Sequence, residues 1–202
     1  MIHYVYVEFL LCRDAREDLW FLLALQVNMA LRMGYHRDPS HFPNISPFHS
    51  EMRRRLWSSI NFSDVMISCQ MGMPRMISNA GCDTAEPRNL NDSDLTSNMA
   101  ELPPARPETE MTTMLGLLAR GRILKALGTI ADLTASAKPC SYAEVMRLDQ
   151  VLHEAEASIP QPLKTKPLAA SMTDPPVIIM ARLFTRHMFY KGKKIYNSRC
   201  PL

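Results

Sequence analysis

The sequence predicts an all-α fold, an irregular multi-helix array of about five to seven helices. Glycine is scarce, at 7 of 202 residues, whereas methionine is abundant, at 15. Leucine, alanine and methionine are good helix formers, and no segment favours a strand. Apolar residues make up 47% of the chain, which is enough for a hydrophobic core. We therefore predict one domain, 1–202.

The first predicted helices lie in the N-terminal part of the chain. Tyr4–Cys12 is predicted to be helical, and Arg13–Asp18 forms a charged break after it. Leu19–Met33 is apolar on nearly every side, which predicts a core helix that neighbours cover on most faces. It is shorter than the about 20 residues of a bilayer span, so no membrane partner is expected. Gly34 ends it, because glycine enters the left-handed region without penalty.

A longer helix is predicted over Phe48–Met71, after a proline-containing loop. Ser46 can cap its N-terminus, and Pro47 suits its first turn. Gly72 and Pro74 end it. Its apolar positions fall on or near one stripe, namely Met52, Leu56, Ile60 and Ile67, with Ser63 at the remaining four-residue step.

The C-terminal half begins with a long connection around residues 76–106, rich in Asn, Asp, Ser and Pro, which is either an ordered surface loop or partly mobile. A helix is predicted over Glu108–Ala135, with acids in its first turn. Ser141-Tyr142-Ala143-Glu144 is a capping box that opens a further helix, to about Ser158. A proline-containing linker then leads to the last predicted helix, Pro176–Asn197.

Charge and cysteine usage exclude several classes of protein. A formal charge of +3 does not support a strongly basic nucleic-acid surface. The cysteines are odd in number and scattered, which argues against a disulfide framework, and none forms a C-x-x-C pair typical of zinc sites. We interpret them as small buried apolar side chains. They are Cys12, Cys69, Cys82, Cys140 and Cys200.

The sequence predicts no catalytic site. His36-Arg37-Asp38 is also found in the protein-kinase catalytic loop, but the glycine-rich loop and the Asp-Phe-Gly metal site are absent. Pro43 stands where that loop needs asparagine. His36 and Asp38 alone, with no third ligand, do not predict a metal site. We therefore expect Arg37 and Asp38 to pair with charges on the next helix, and we predict that the chain is not an enzyme.

The run Arg53-Arg54-Arg55 could form a phosphate-binding patch. Consecutive helix positions point about 100° apart, so the three side chains do not form one basic face. The sequence favours one or two solvated arginines and one that pairs with Glu51, Asp38 or Asp64.

The order of several elements carries a family resemblance. An apolar helix ends at Gly34-Tyr35-His36-Arg37-Asp38-Pro39; a glutamate, an arginine run and a tryptophan follow; an aspartate comes later in that helix, and a Gly-x-Pro turn comes next. Together, residues 20–90 resemble the signature of the fungal-specific transcription factor domain. The matching residues are Gly34, His36, Arg37, Asp38, Pro39, Glu51, Arg53, Arg54, Arg55, Trp57, Asp64, Gly72 and Pro74, with an acid-and-proline stretch at Asp83, Pro87, Asn89 and Asp92.

The sequence departs from the family pattern at two positions. Met73 replaces the arginine of the family's Gly-Arg-Pro turn, and Ser58 replaces a second tryptophan. The family's DNA-binding module, in which six cysteines hold two zinc ions, has no counterpart here. We therefore expect no cofactor in this chain, with zinc only in that N-terminal module. We also expect the chain to be a truncated or fragmentary copy of the regulatory domain, or a degenerate paralogue.

The resemblance implies a function. This chain would be the regulatory, non-DNA-contacting helical domain of a zinc-cluster transcription factor that regulates RNA polymerase II transcription in the nucleus. Protein partners, a homodimer and a small-molecule effector are implied, with two packings whose balance a ligand shifts. The alternatives are a helical interaction or dimerisation module that has lost DNA binding, and an enzyme of a metabolic gene cluster.

The resemblance also suggests a specific packing. We expect the loop from Gly34 to Pro39 to pack against the helix that bears Glu51 and Trp57, with Trp57 largely buried.

Overall fold

The computed structural model describes residues 19–136 and 141–199, so the predictions for Tyr4–Cys12 and Arg13–Asp18 lie outside the described residues. The described residues form six α-helices and no strand, which confirms the all-α prediction. The helices are α1 (Leu19–Arg32), α2 (Pro47–Met71), α3 (Leu115–Ala135), α4 (Tyr142–Ala157), α5 (Leu168–Ser171) and α6 (Pro176–Arg199).

The chain divides into two compact units. Unit 1 contains α1 and α2, extends to Pro87 and includes Ser97–Glu101; unit 2 consists of Arg88–Thr96 and the chain from Leu102 onward. The prediction of a single domain over 1–202 stays a prediction. No described helix is both long and apolar enough to span a bilayer.

The core of unit 1 lies between α1 and α2. Its buried side chains come from both helices and from the segment after α2, and they are Leu19, Leu23, Val27, Ala30, Trp57, Ile60, Ile67 and Ile77. The ends of α2 follow the sequence prediction. The Ser46 hydroxyl accepts a hydrogen bond from the His49 amide at 3.3 Å, and Gly72 adopts the left-handed conformation (φ 65°) at the C-terminus.

One burial prediction for unit 1 was wrong. Helix α1 was expected to be covered on most faces, but Phe21, Leu25 and Met29 are exposed, because α2 packs against the opposite face of the helix. Met52, on the predicted stripe of α2, is also exposed, whereas Ile60, Ser63 and Ile67 are buried. Apolar composition alone does not tell which face of a helix meets a neighbour.

The core of unit 2 is formed by α3, α4 and α6. Gly192 of α6 lies so close to its neighbours that an added Cβ would meet methyl groups of Leu127 and Leu152 at 3.0 Å. Glycine therefore allows α6 to approach α3 and α4 closely. The buried residues of one cluster are Ala126, Ile130, Val145, Leu148, Leu152, Phe189 and Tyr196.

The predicted start of α3 at Glu108 was wrong, since α3 begins at Leu115 and has no acid in its first turn. The Thr112 hydroxyl accepts hydrogen bonds from the amides of Met114 and Leu115, at 3.2 and 3.1 Å, and so caps the helix there. Glu108 lies in a preceding turn and pairs with Arg122. The long connection predicted around residues 76–106 is present, and it extends to α3.

The last two predicted helices agree with the structure. The Ser141 hydroxyl accepts from the Glu144 amide at 3.3 Å and the Glu144 carboxylate accepts from the Ser141 amide at 2.8 Å, which is the predicted capping box. Helix α6 ends at Arg199 rather than Asn197.

The described cysteines differ from the prediction in burial. Cys69 and Cys82 are half-buried rather than buried. Cys12, Cys140 and Cys200 lie outside the described residues.

Candidate functional site

The family-motif residues of unit 1 surround two loops that lie against α2. One loop joins α1 to α2, and the other follows α2 from Gly72 to Ala85. Three acidic side chains hold these loops, and we call Asp38, Asp64 and Asp83 the carboxylate anchors.

Gly34 sets the direction of the first loop. It has φ 71°, a conformation that costs a residue with a side chain, and it ends α1. The Tyr35 amide donates to the Ala30 carbonyl and the Gly34 amide to the Leu31 carbonyl, both at 3.0 Å. These bonds satisfy the last carbonyls of α1 while the chain turns.

Asp38 is the first anchor, and only 6% of its surface is exposed. Its carboxylate accepts two hydrogen bonds from the Arg54 guanidinium, both at 2.9 Å. It also accepts from the amides of Ser40, at 3.0 Å, and Ala85, at 2.9 Å. The Arg54 guanidinium holds the pKa of Asp38 far below its usual range, with the two amides adding to the effect. Asp38 thus binds both loops to α2.

Asp83 is the second anchor, and it lies on the second loop. Its carboxylate accepts from the Asp38 amide at 2.9 Å and contacts the His41 ring at 2.7 Å and Arg37 at 3.1 Å. The Asp38 amide, followed by His41 and Arg37, lowers its pKa. The Asp83 amide in turn donates to the His36 carbonyl at 3.0 Å. The two loops therefore hold each other as well as α2.

Asp64 is the third anchor, a fully buried residue of α2. Its carboxylate accepts from the amides of Met76, at 3.0 Å, and Ile77, at 3.1 Å. The Ser68 hydroxyl donates to the Pro74 carbonyl at 3.3 Å. These bonds fold the chain after Gly72 back along α2 and bring Ile77 into the core.

The arginine run does not form a phosphate-binding face, because its three side chains have different partners. Arg54 pairs with Asp38, and Arg55 donates to the Glu51 carboxylate at 3.0 Å. Arg53 donates to the Met33 carbonyl at 2.9 Å and lies over the Tyr35 ring at 4.3 Å. The expectation that one or two of them are solvated was wrong, since all three bind other groups. Pairing of Asp38 with the next helix is confirmed, but Arg37 pairs with Asp83 instead.

Trp57 lies under the first loop. It is 4% exposed, and its ring centroid is 6.4 Å from that of His36. The expected packing of the Gly34–Pro39 loop against α2 is therefore present. Pro39 is buried at the start of a short 3-10 turn, and Glu51 is fully buried beside Arg55.

The two departures from the family pattern lie near these anchors. Met73 has an exposed side chain, and its amide donates to the Ser68 carbonyl at 3.0 Å. The turn therefore forms without the family's arginine. Ser58 is half-buried.

Unit 2 has polar anchors of its own, of which Asn89 was predicted only as a family match and Arg182 was not predicted. The buried Asn89 side chain donates to the carbonyls of Arg106, at 3.0 Å, and Pro107, at 3.2 Å, and accepts from Thr112. Arg182, buried on α6, donates to the Pro162 carbonyl and pairs with Asp174. Arg182 could have been recognised from the sequence, because an arginine on the apolar side of a predicted helix is expected to have a buried polar partner.

The carboxylate anchors are suited to fixing backbone, because each of them accepts at least one hydrogen bond from a main-chain amide. Within residues 19–136 and 141–199, no three His, Cys, Asp or Glu side chains form a group that could hold a metal ion. The family's zinc ions therefore have no fitting ligand set in the described part of the chain.

Comparison with known proteins shows which family this chain belongs to. The sequence model of the family described as "Fungal specific transcription factor domain" matches residues 7–185. The chain belongs to this family.

Relatives of this fungal-specific transcription factor domain are similar over nearly its whole length. The Zn(2)-C6 fungal-type transcription factor mpsB of Macrophomina phaseolina is 46% identical over 97% of this chain and 26% of its own length. The Zn(2)-C6 fungal-type transcription factor pigI of Monascus ruber is 44% identical over 98% of this chain and 24% of its own. The equisetin cluster transcription factor eqxF of Fusarium heterosporum is 41% identical, with 97% and 28% covered.

This chain therefore spans about a quarter of the length of these relatives. No solved structure matches it significantly. In unit 1, the family-motif residues lie around the carboxylate anchors.

Proposed function

We propose that this chain is the regulatory helical domain of a fungal zinc-cluster transcription factor and that the whole protein regulates RNA polymerase II transcription in the nucleus. The observation that carries the proposal is the family match over residues 7–185. The motif residues of unit 1 are spread along the sequence, and in the fold they lie close together around the carboxylate anchors. A transcription factor domain of this kind is not an enzyme, and the chemistry of the anchors agrees with that.

In this proposal the chain does not contact DNA. DNA is bound through a zinc-cluster module outside the chain, of the kind named in the descriptions of mpsB and pigI. The arginines of α2, which could have formed a basic face, are engaged with Asp38, Glu51 and the Met33 carbonyl. Electrostatic attraction to phosphates needs cations that are available to the nucleic acid.

The relatives also suggest the targets. Two of them are described as transcription factors of the equisetin cluster and of the pyrrolocin cluster. We propose that the whole protein likewise regulates the genes of one biosynthetic cluster. A small molecule or protein partner would act by shifting the balance between two packings of the helical domain, and the whole protein would act as a homodimer.

The transcriptional role is tested in the fungus that carries the gene. Deleting the gene should change the transcripts of one group of neighbouring genes, as measured by RNA sequencing. Reintroducing the whole gene should restore them, whereas a whole gene encoding Trp57→Ala should restore them poorly. Unchanged transcripts across all gene groups after deletion would contradict the proposal.

The absence of DNA contact is tested on this chain itself. A 30-base-pair duplex titrated with the 202-residue chain should show at most weak binding, without the steep salt dependence of a protein that neutralises several phosphates. Tight binding that falls by orders of magnitude between about 50 and 200 mM salt would contradict this part of the proposal.

A further inference from the structure

Helix α6 has an exposed stripe that the packing of unit 2 leaves uncovered. Val177, Met180, Leu183 and Tyr190 are between 54% and 70% exposed. Their spacing of three, three and seven residues places them on one side of the helix. The opposite side carries Met188, Phe189 and Tyr196, which are buried. Single exposed apolar residues are common on protein surfaces, but four aligned along one helix form a continuous surface.

The stripe is divided along its length into an apolar part and a basic part. Val177, Met180 and Leu183 form the part near the N-terminus of α6. Arg186, Tyr190 and Lys194 continue it toward the C-terminus, and Arg186 lies over the Tyr190 ring at 5.6 Å. At about 100° per residue, Met180, Leu183, Arg186, Tyr190 and Lys194 lie within an arc of about 120°, and Val177 lies about 60° beyond Met180 at the edge of this arc. We call these six residues the α6 stripe.

The charged side chains of α6 are all basic, because none of its 24 residues is acidic. Two acidic residues of unit 2 contact α6, but they bind residues of this helix other than Arg186 and Lys194. Asp149 accepts from Tyr196 and lies 3.9 Å from Lys193, and Asp174 pairs with Arg182. The basic half of the stripe therefore lacks a counter-charge from either of these acids.

We propose that the α6 stripe is a docking surface for an acidic amphipathic helix of a protein partner. Such a helix would place apolar side chains against Val177, Met180 and Leu183, and carboxylates against Arg186 and Lys194. Helix recognition commonly uses an apolar face read at positions i, i+3 or i+4 and i+7. From Val177 to Lys194 the stripe is about 26 Å long, at 1.5 Å per residue, so a partner helix of about 18 residues would cover it.

Charge argues against a second copy of α6 as the occupant. A two-fold interface brings the same surface of both copies together. Parallel copies would oppose Arg186 to Arg186 and Lys194 to Lys194, whereas antiparallel copies would place each basic half against an apolar half. A membrane surface is also a poorer match, since the basic residues lie in line with the apolar ones rather than on the flanks.

A synthetic peptide tests the proposal, which is independent of the transcriptional role. The probe is a fluorescein-labelled 18-residue helical peptide with leucines on one half of a face and glutamates on the other half. Titration with the 202-residue chain should raise its anisotropy and saturate. A scrambled peptide of the same composition should bind at least about tenfold more weakly, because affinity then depends on the alignment of the face.

Three variants locate the binding. Leu183→Asp, and Arg186→Glu combined with Lys194→Glu, should each weaken binding about tenfold or more, while circular dichroism shows an unchanged helix content. Leu25→Asp on α1, also at an exposed leucine, is the matched control and should bind as the unchanged chain does. A peptide with lysines in place of the glutamates should bind the charge-reversed variant better than the unchanged chain.

Four results would overturn the proposal. The first is equal binding of the scrambled peptide, and the second is unchanged binding by the α6 variants. The third is a dimer in sedimentation that Leu183→Asp dissociates, with no binding of the peptide. The fourth is binding to phosphatidylserine vesicles that Leu183→Asp abolishes, again without binding of the peptide.

Discussion

The two units differ in the interactions that stabilise each of them internally. In unit 1, two loops are fixed to α2 by carboxylates that accept hydrogen bonds from arginine and from main-chain amides. In unit 2, three helices pack through apolar side chains, and Gly192 permits their close approach. A carboxylate that accepts several directed hydrogen bonds has few substitutes, whereas an apolar core tolerates changes that keep its volume. The two units are therefore expected to respond differently to substitution.

The largest expected effect is at Trp57, which joins the apolar core of unit 1 to its polar loops. Trp57→Ala should lower the free energy of unfolding by about 3–5 kcal/mol, because a large buried side chain leaves a cavity. The remaining tryptophan, Trp20, packs against the same core and provides a fluorescence signal for unit 1 during urea unfolding. Leu25→Ala on the exposed face of α1 is the control, with little loss expected. A loss below about 1 kcal/mol for Trp57→Ala would mean that the loop and α2 do not depend on each other.

Asp64 tests whether a buried carboxylate on α2 is needed to hold the second loop. Asp64→Asn should cost about 2 kcal/mol, because the NH2 group that replaces one carboxylate oxygen cannot accept a hydrogen bond, so either the Met76 or the Ile77 amide loses its acceptor. Chemical unfolding measures the cost, and hydrogen exchange at Met76 and Ile77 should become faster. Glu101→Gln, at an exposed acid of the same unit, should change neither quantity. If both amides exchange as slowly in Asp64→Asn as in the unchanged chain, the anchoring role of Asp64 is contradicted.

Gly192 tests the other side of the comparison. Gly192→Ala should destabilise unit 2 by about 1–2 kcal/mol, since overpacking against Leu127 and Leu152 outweighs the gain in helix propensity. Gly121→Ala is the matched control, because it also lies within a helix but an added Cβ meets nothing within 4 Å. That variant should be about 0.5–1 kcal/mol more stable. If thermal unfolding shows that both variants are stabilised, close approach at Gly192 is not a constraint.

A smaller effect is expected at alkaline pH in unit 2. Burial, and then the Asp149 carboxylate that its hydroxyl binds, raise the pKa of Tyr196. Because the folded pKa lies above the unfolded value of about 10, this stabilisation is complete below pH 10 and is lost as the pH rises further. Unfolding of the chain and of Tyr196→Phe, compared from pH 7 to 11, should show a steeper decline for the unchanged chain. Parallel declines would contradict the assignment.

Local rules predicted the parts of the fold that short segments determine. Gly34, Ser46, Gly72 and the capping box at Ser141 were recognised because a cap or a left-handed turn depends on the residues beside it. The burial of Trp57 followed from the order of the family motif. These elements needed no knowledge of distant contacts.

The rest depends on pairs that are far apart in sequence. The start of α3 is set by Thr112, whose hydroxyl also donates to Asn89, 23 residues earlier. Asp83 meets the Asp38 amide across 45 residues, so its role as an anchor could not be read from spacing. The exposed face of α1 is likewise decided by where α2 packs. Composition predicts that such a helix is apolar, but not which side stays open.

The carboxylate anchors have a characteristic acid response. The pKa of Asp38 is held far below its unfolded value of about 3.9, first by Arg54. Its contribution to stability is therefore present above about pH 4 and is lost as the pH falls. The same pair allows the anchoring account to be tested at neutral pH.

The most direct test is a double-mutant cycle on Asp38 and Arg54, with Asp38→Asn, Arg54→Gln and both together, measured by urea unfolding followed through tryptophan fluorescence. We expect each single change to cost about 3 kcal/mol and the pair to show a coupling energy of about 2 kcal/mol, because the remaining partner is left buried and uncompensated. The coupling should decline as the pH falls below about 4, because the unfolded state then binds a proton at Asp38 before the folded state does. Costs that add to within about 0.3 kcal/mol at neutral pH would show that Asp38 and Arg54 do not hold the loops to α2.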